Sequence, residues 1–224
     1  MKRVAVTTDR FDLAAPWFAA NGLEPVPLPC VRVDIASEEV LDEARTAAAR
    51  ADLLVVTSPR TVDLLWRGRG MPPVPVAAVG EATAAAVEDV GGRVRFVGSA
   101  GLAGLVSELA KEEPLGRIVF PRAANSDPVP LEQLRGEGTD VVPIDVYRTV
   151  PIAPGRDAVH AVAFASPSAV EGWLLSRPLD GLVIGAIGHT TASALTGHRP
   201  VIVPYRPSHR ALAEALAQFM EVPA

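Results

Sequence analysis

The sequence predicts an α/β protein of two lobes with parallel sheets, and three observations lead there. Short β-branched runs alternate with Ala/Leu-rich stretches of helical length, the pattern of βα units. Ten such strand-like runs are more than one small doubly wound sheet holds. Above all, the chain repeats itself: Ser58 and Ser166, Gly80 and Gly188, and Thr83 and Thr191 are each 108 positions apart.

The register holds without a gap. TSPRTV at 57–62 lies over ASPSAV at 165–170, so Pro59 meets Pro167 and Val62 meets Val170. Further on, Ala84 meets Ala192, Ala86 meets Ala194, and Val79 and Val87 meet Ile187 and Leu195. After one small length change, LVSELA at 105–110 resembles LAEALA at 212–217. The repeated unit reads strand, Ser-Pro loop, helix, strand, Gly-x-x-Thr-Ala loop, helix, strand, helix. Each lobe is therefore expected to be a flavodoxin-like sheet covered by helices.

In chain order, RVAVTT near 3–8 is a strand, APWFAANG a helix and PVPLP near 25–29 a strand. SEEVLDEARTAAAR is a helix, DLLVVTS at 52–58 a strand and SPRTVDLLWRG a helix. VAAVG at 76–80, EATAAAVEDVGG, VRFVG at 94–98 and LAGLVSELAKE then alternate strand and helix. RIVFPR at 117–122, LEQLRGEG and DVVPIDVYRTV at 140–150 make a further strand, helix and strand. The second copy brings AVAFAS at 161–166, SPSAVEGWLLS, LVIGAIG at 182–188, TTASALTGH, PVIVP at 200–204 and SHRALAEALAQFM. Several helices open with Ser, Thr or Asp and close at Gly, as helix ends do. The extended PLPCVRVD and PIDVYRTVP pair off as crossover strands. The expected division is lobe 1 at 1–32 plus 152–224 and lobe 2 at 37–145, with antiparallel linkers at about 28–36 and 144–152.

Composition narrows the function. Among 224 residues the formal net charge is −5, so no overall basic field draws nucleic acid, although local Arg groups can receive a small anion. A single cysteine, Cys30, rules out an internal disulfide, and four scattered His offer no metal spacing. Cys30, in LPCVRV, reads as a small buried hydrophobe rather than a reactive thiol. No apolar run approaches the roughly 20 residues of a bilayer span, and MKRVAVTTDR leads directly into a strand. A cytoplasmic protein, acting as a monomer and away from membranes, is the expectation.

Loops that leave the carboxyl end of a parallel strand and enter a helix expose backbone N–H groups, and the helix dipole there favours anions. In open α/β sheets ligands bind at that edge, so the four repeated loops are expected to line one cleft. Ser58, Thr83, Ser166 and Thr191 have two uses, helix capping and ligand binding, and a duplicated fold duplicates its caps as readily as its site. Gly80 and Gly188 suit either a turn or a close backbone approach; neither sits in a dinucleotide or P-loop fingerprint. Arg10, Arg60, Arg122 and Arg148 are surface charges singly and a polyanion clamp as a set. Tyr147, in IDVYRTV, is one of two tyrosines. It is placed either to pack a hinge or to donate a proton to a leaving hydroxyl.

In sequence order, TTDR with Arg10, G-x-x-P-x-P-x-P, TSPRTV, AVGEATA, PRAANS, L-x-x-L-x-x-x-G, DVYRTV, FASPSAV and AIGHTTASAL together resemble the uroporphyrinogen-III synthase family over nearly the whole chain. The resemblance implies an enzyme of two lobes that cyclises the linear tetrapyrrole hydroxymethylbilane, inverting ring D and losing water, to uroporphyrinogen III. It implies no metal or organic cofactor, and an upstream hydroxymethylbilane synthase as the source of the substrate. The family's tyrosine falls on Tyr147, assisting departure of the ring A hydroxyl. Its loop threonines fall on Thr83 and on Thr191 with Thr190 adjacent. Ser58, Pro59, Arg60, Gly80, Arg10, Arg122, Ser166, Pro167, Ser168 and Gly188 are the further substrate-binding candidates, gripping acetate and propionate groups. The pyrroles expel the hydroxyl themselves, so the protein's task is to fold the bilane for attack through the substituted carbon of ring D, with lobe closure as the moving step. The sequence departs from the family pattern at His189, where Pro is common, and at Asp9 beside Arg10. The rival reading is a non-catalytic tetrapyrrole or small-anion sensor of the same fold; a degraded Gly-x-x-Thr loop or a lost Tyr147 would mark it, and neither is seen.

Overall fold

The computed structural model describes residues 1–98, 101–112, 115–127, 129–136, 139–198 and 200–221. The end of the expected helix LEQLRGEG, at 137 and 138, lies outside them. The chain divides into two compact units, Met1–Val33 with Thr149–Ala224, and Asp34–Arg148.

The first unit contains β1 (Lys2–Val6), α1 (Phe11–Ala20), β2 (Leu23–Pro27) and the start of β3 (Val31–Ile35). The second unit follows with α2 (Glu38–Ala48), β4 (Leu53–Val56), α3 (Pro59–Trp66), β5 (Pro75–Val79), α4 (Glu81–Asp89), β6 (Arg93–Gly98) and α5 (Gly101–Leu109). It closes with β7 (Arg117–Ala123), α6 (Val129–Gly136) and β8 (Asp140–Pro151) as far as Arg148. The first unit then resumes with β9 (Ala161–Phe164), α7 (Pro167–Leu174), β10 (Val183–Ala186), α8 (His189–Ser193), β11 (Val201–Ile202) and α9 (His209–Glu221).

The first sheet runs β11-β10-β9-β1-β2 with parallel neighbours throughout. Renumbered along its own chain it reads 2-1-3-4-5, the flavodoxin-like order. The second sheet runs β3-β8-β7-β4-β5-β6. Without β3 it is the same spatial order entered at a different strand: β7 and β8 stand where β1 and β2 stand, and β4, β5, β6 match β9, β10, β11. The duplication is therefore structural as well as sequential. α3 and α7 share both ends at the 108-residue offset, and α5 and α9 share their starts. The small length change shows in burial instead: Leu105, Val106 and Leu109 turn inward on α5, and Leu212, Ala213 and Leu216, each 107 positions later, turn inward on α9.

Each sheet is buried on both faces, which is why the strands read as continuous apolar runs rather than alternating ones. In the first unit one face packs Val4, Val6, Ala161 and Ala163 against Phe18, Leu212 and Leu216 of α1 and α9. The other packs Ala5, Val162 and Phe164 against Val170 and Trp173 of α7 and Leu195 just after α8. Phe164 and Trp173 meet edge to face at 6.0 Å between ring centroids. In the second unit Leu53, Val55, Ala77, Ile118 and Phe120 meet Leu105, Leu109 and Leu134 of α5 and α6.

Two expectations need correction. The described strands number eleven rather than ten, because the crossover segment at about 28–36 contributes a ladder strand of its own, β3, at 31–35. The strand expected at 200–204 pairs only over Val201–Ile202. The two crossover segments do run antiparallel: Ile152 N–H donates to the Cys30 carbonyl at one end (2.9 Å) and Ala36 N–H to the Val146 carbonyl at the other (3.1 Å). Among the described residues no helix is long and apolar enough to cross a membrane, and no group of three or more His, Cys, Asp or Glu could hold a metal ion.

The crossover leaves its mark on α7. A Cβ on Gly172 would lie 2.0 Å from the Cys30 carbonyl oxygen and 2.7 Å from that of Ile152. The equivalent position of α3 carries Leu64. Cys30 itself is fully buried, its Sγ 3.3 Å from the Leu28 carbonyl. Burial pushes the thiol up to about 12, against a smaller downward pull from the Arg177 guanidinium. This is the inert packing thiol that the sequence favours.

Gly172→Ala is expected to lower stability by about 2–3 kcal/mol, since backbone rather than a flexible side chain blocks the methyl group; thermal unfolding read by near-ultraviolet circular dichroism checks it. For Cys30, alkylation at pH 8 is expected only after denaturation. The unfolded thiol ionises near its ordinary value of 9.0 while the folded one keeps its proton to about 12, so this group's contribution to stability falls as pH rises through that window. A Cys30→Ala control isolates the effect.

Candidate functional site

In each sheet the strand order reverses between two central strands, and the loops leaving their carboxyl ends diverge toward opposite faces. In the first unit those strands are β1 and β9; in the second, β7 and β4. The candidate residues gather at these two places and on the neighbouring strand of each sheet.

At the first reversal, Thr7 is fully buried and ties the two strands together: its hydroxyl donates to the Ala163 carbonyl (2.8 Å) and accepts from Ala165 N–H (3.3 Å). Sequence reasoning passed over Thr7, although a polar residue closing an apolar strand was the available signal. Thr8 accepts from Arg10 N–H (3.2 Å), and Arg10 stands at the N-cap of α1 beside exposed Asp9. Across the reversal, Ser166 caps α7, its Oγ accepting from Ala169 N–H at 3.2 Å. Pro167 holds the first helical position and Ser168 the next, both half-buried.

The second unit repeats the cap. Ser58 Oγ accepts from Arg60 N–H at 3.1 Å, with Pro59 at the first helical position of α3. Both serines therefore do what the plainer reading asks, and each hydroxyl proton remains available to a ligand oxygen. Pro59 and Pro167 bring no N–H and act through a preset φ. Of the inward residues of α3, Thr61 buries a hydroxyl without a hydrogen-bond partner, where α7 has Ala169.

The Gly-x-x-Thr loops differ from the Ser-Pro loops because neither α4 nor α8 has a side-chain cap. Thr83 and Thr191 are buried, the third residue of each helix, while Thr190 is exposed. Thr83 N–H turns back to the Gly80 carbonyl at 3.1 Å. Gly80 takes φ 78 and ψ 155, a region open essentially to glycine alone, whereas Gly188 is extended at φ −170 and has no such need. The helix starts also differ in charge. α4 opens on Glu81, which already complements its dipole, and α8 opens on His189.

Three further groups converge at the second reversal. Arg122, on β7, donates through Nε to Asp145 Oδ1 of β8 (2.8 Å), and its buried Nη1 has no hydrogen-bond partner. A buried guanidinium nitrogen left over from an ion pair is suited to accept a carboxylate. Tyr147 is 9% exposed, and its carbonyl accepts from Ala124 N–H at 2.7 Å. The Arg60 guanidinium carbon lies 5.9 Å from the centre of the Tyr147 ring.

What brings Tyr147 to Arg60 is a bulge. Along β7 and β8 the register runs Arg117↔Asp140 to Arg122↔Asp145, then shifts so that Ala123 faces Tyr147. Paired residues share a face of the sheet, so one extra residue in β8 turns Tyr147 away from the face of Arg122 and Asp145. It reaches the face covered by α3, where Arg60 begins its helix. Bulges re-aim side chains in this way beside active sites. Alternation in the sequence carries no sign of it. Arg148, next along β8, is exposed.

Taken unit by unit, this is a doubly wound α/β protein without a nucleotide-binding loop, whose carboxyl-edge loops carry caps, cations and one buried phenol. The model of the uroporphyrinogen-III synthase HemD family matches residues 13–214, and the chain belongs to that family. Among solved structures, a mutant uroporphyrinogen III synthase from the extremely thermophilic bacterium Thermus thermophilus is similar at 21% identity, with 98% of each chain covered and a TM-score of 0.65. The wild-type Thermus enzyme gives 21% identity over 99% of this chain and 98% of that one, at a TM-score of 0.55. The uroporphyrinogen-III synthetase of Helicobacter pylori 26695 gives 18% identity over 99% and 100%, at 0.65. These likenesses establish the shared fold. No curated protein matches the chain significantly.

Gly80→Ala is expected to destabilise by about 1–3 kcal/mol and Gly188→Ala by under about 1 kcal/mol, because only the first substitution forces a side chain into a glycine-only conformation. Urea midpoints for the two variants, measured side by side, test the difference.

Proposed function

We propose that this chain cyclises hydroxymethylbilane to uroporphyrinogen III with inversion of ring D and loss of water, a lyase reaction of tetrapyrrole biosynthesis. The observation that carries the reading is the family match across residues 13–214. Beside it stands a set of carboxyl-edge loops without phosphate fingerprint or metal cluster among the described residues.

The reaction asks little covalent chemistry of the protein. One C–O bond breaks as the pyrrole nitrogen's electrons expel the hydroxyl, which takes up a proton and leaves as water. A C–C bond forms at the substituted carbon of ring D, the methylene bond already on that carbon breaks and re-forms at the free carbon of ring D, and the proton of that carbon is lost. Tyr147 is assigned the proton that the departing hydroxyl needs. It is largely buried, with its main chain fixed by Ala124, so a donor there is held in place. Arg122 in the second unit and Arg10 in the first are assigned to the acidic side chains of the bilane, Arg122 through its unpartnered Nη1. Ser58, Ser166, Ser168 and Thr190 add hydroxyl donors, and the first-turn amides after Gly80 and Gly188 add backbone donors. Thr83 and Thr191, buried beneath those turns, shape them. Pro59 and Pro167 preset the loops that carry the serines. Most of the rate advantage then comes from folding the bilane before unaided closure yields the non-inverted isomer. A cytoplasmic monomer supplied by hydroxymethylbilane synthase completes the proposal.

The test generates hydroxymethylbilane in situ, adds the protein, oxidises the products and separates the porphyrin isomers. Isomer III is expected to replace isomer I in proportion to added protein, with Tyr147→Phe about 10- to 100-fold slower. Persistence of isomer I with folded protein would sink the catalytic reading and leave a binding protein of the same fold.

A further inference from the structure

The two copies agree in strand order and in their Ser-Pro caps, and among the places where they part company one joins a cation to a ring. Both Ser-Pro loops cap their helices, and both helices begin with proline. The next residue is Arg60 in one copy and Ser168 in the other. Opposite it the difference recurs: by strand order β8 corresponds to β2, and the phenol of Tyr147 comes after the bulge in the β7–β8 pairing, whereas the β1–β2 pairing runs without a shift. A cap inherited by both copies is explained by helix formation. A cation and a phenol present in one copy alone, brought together by an irregularity that copy alone carries, is not.

We infer that Arg60 is a positioning residue that orients the Tyr147 ring, so that the phenol and the guanidinium act as one unit; the catalytic side of this inference rests on the function proposed above. Three constraints converge on the pair. Ser58 fixes the main chain of Arg60 through its N–H (3.1 Å). Ala124 fixes the main chain of Tyr147 through its carbonyl (2.7 Å). The bulge sets the face from which the ring emerges. The remaining freedom is rotation of the ring about its side-chain bonds, and the guanidinium carbon 5.9 Å from the ring centre lies within cation–π reach, so it restricts that rotation. A donor held in one orientation reaches the departing oxygen in a larger share of encounters, which raises kcat rather than affinity. An Arg60 that merely bound a carboxylate would act on KM and would do so whether or not Tyr147 kept its hydroxyl.

The chain contains two tyrosines, and the other, Tyr205, is fully exposed and serves as an internal reference. Ring-¹³C-tyrosine labelling gives separate signals for the two. Arg60→Gln is expected to shift and narrow the Tyr147 ring signal as the ring gains freedom and to leave Tyr205 unmoved, with Arg60→Lys between. A Tyr147 signal unchanged in Arg60→Gln overturns the inference, whatever the activity. Kinetics supply the second reading. Arg60→Gln is expected to lose about 10-fold in kcat with KM changed less than about 2-fold, and Arg60→Gln in a Tyr147→Phe background to lose under about 2-fold more. Losses that multiply, or a loss confined to KM, also overturn it. Thermal midpoints of Arg60→Lys and Arg60→Gln separate loss of fold from loss of orientation. Should the wild-type chain make no isomer III, the proposed function fails, and the ring signals still decide whether Arg60 orients Tyr147.

Discussion

Parallel strands cannot be joined by tight turns, and that one constraint places nearly every residue of interest. Each strand must be followed by a crossover that returns to the opposite edge, so every strand-to-helix loop of a unit emerges along the same edge of its sheet. Ser58, Gly80 and Ala123 leave that edge in one unit, and Thr7, Ser166 and Gly188 in the other. The reversal of strand order then parts two of those loops toward opposite faces. What the sequence places far apart, such as Thr7 and Ala163, the sheet joins through a buried hydroxyl. The residues need no further device to be assembled, only fine adjustment.

Duplication supplies a control for that adjustment. Features common to both copies are accounted for by the fold: a serine cap, a proline at the first helical turn, a threonine buried in the next helix. Features of one copy mark either a local neighbour or chemistry. Gly172 is of the first kind, since the Cys30 and Ile152 carbonyls fill the space that a side chain there would need, whereas the matched position of the other unit carries Leu64. Arg60 with Tyr147 is the pair we propose to be of the second. Gly80 and Gly188 show that an identical residue at matched positions need not do identical work, for only one of them adopts a conformation closed to other residues.

Much of this was legible before any coordinates. The 108-residue register predicted two sheets of one pattern, and the matched ends of α3 and α7 follow it residue for residue. The candidate loops were legible too, because Ser-Pro and Gly-x-x-Thr carry their own turn chemistry. Three things were not. The bulge at Ala123 inserts a residue into the pairing without altering composition or hydropathy, so the direction of Tyr147 was hidden. The ladder that seats β3 beside β8 at the edge of the second sheet depends on a partner more than a hundred residues away. The role of Thr7 depends on Ala163 and Ala165, equally remote. In each case the missing information is a long-range partner, which no local window contains.

The shared strand order entered at different points has a consequence for how the chain acquires its structure. The second unit is contiguous, Asp34–Arg148, so all the strands β4 to β8 leave the ribosome in one stretch and can pair on emergence. The first unit starts with β1 and β2 but owes the middle of its sheet to β9, and the pairing of Val4 with Ala161 must wait for the whole of the other unit to be made. Closing that long loop costs little more entropy than closing one of half the length, because the cost grows only with the logarithm of length. It nevertheless orders events in time. The contiguous unit is the natural early folder, and its completion brings the two ends of the discontinuous one into the same neighbourhood through the β3–β8 ladder. Until β9 arrives, Val4 and Val6 of β1 wait for their partners Ala161 and Ala163.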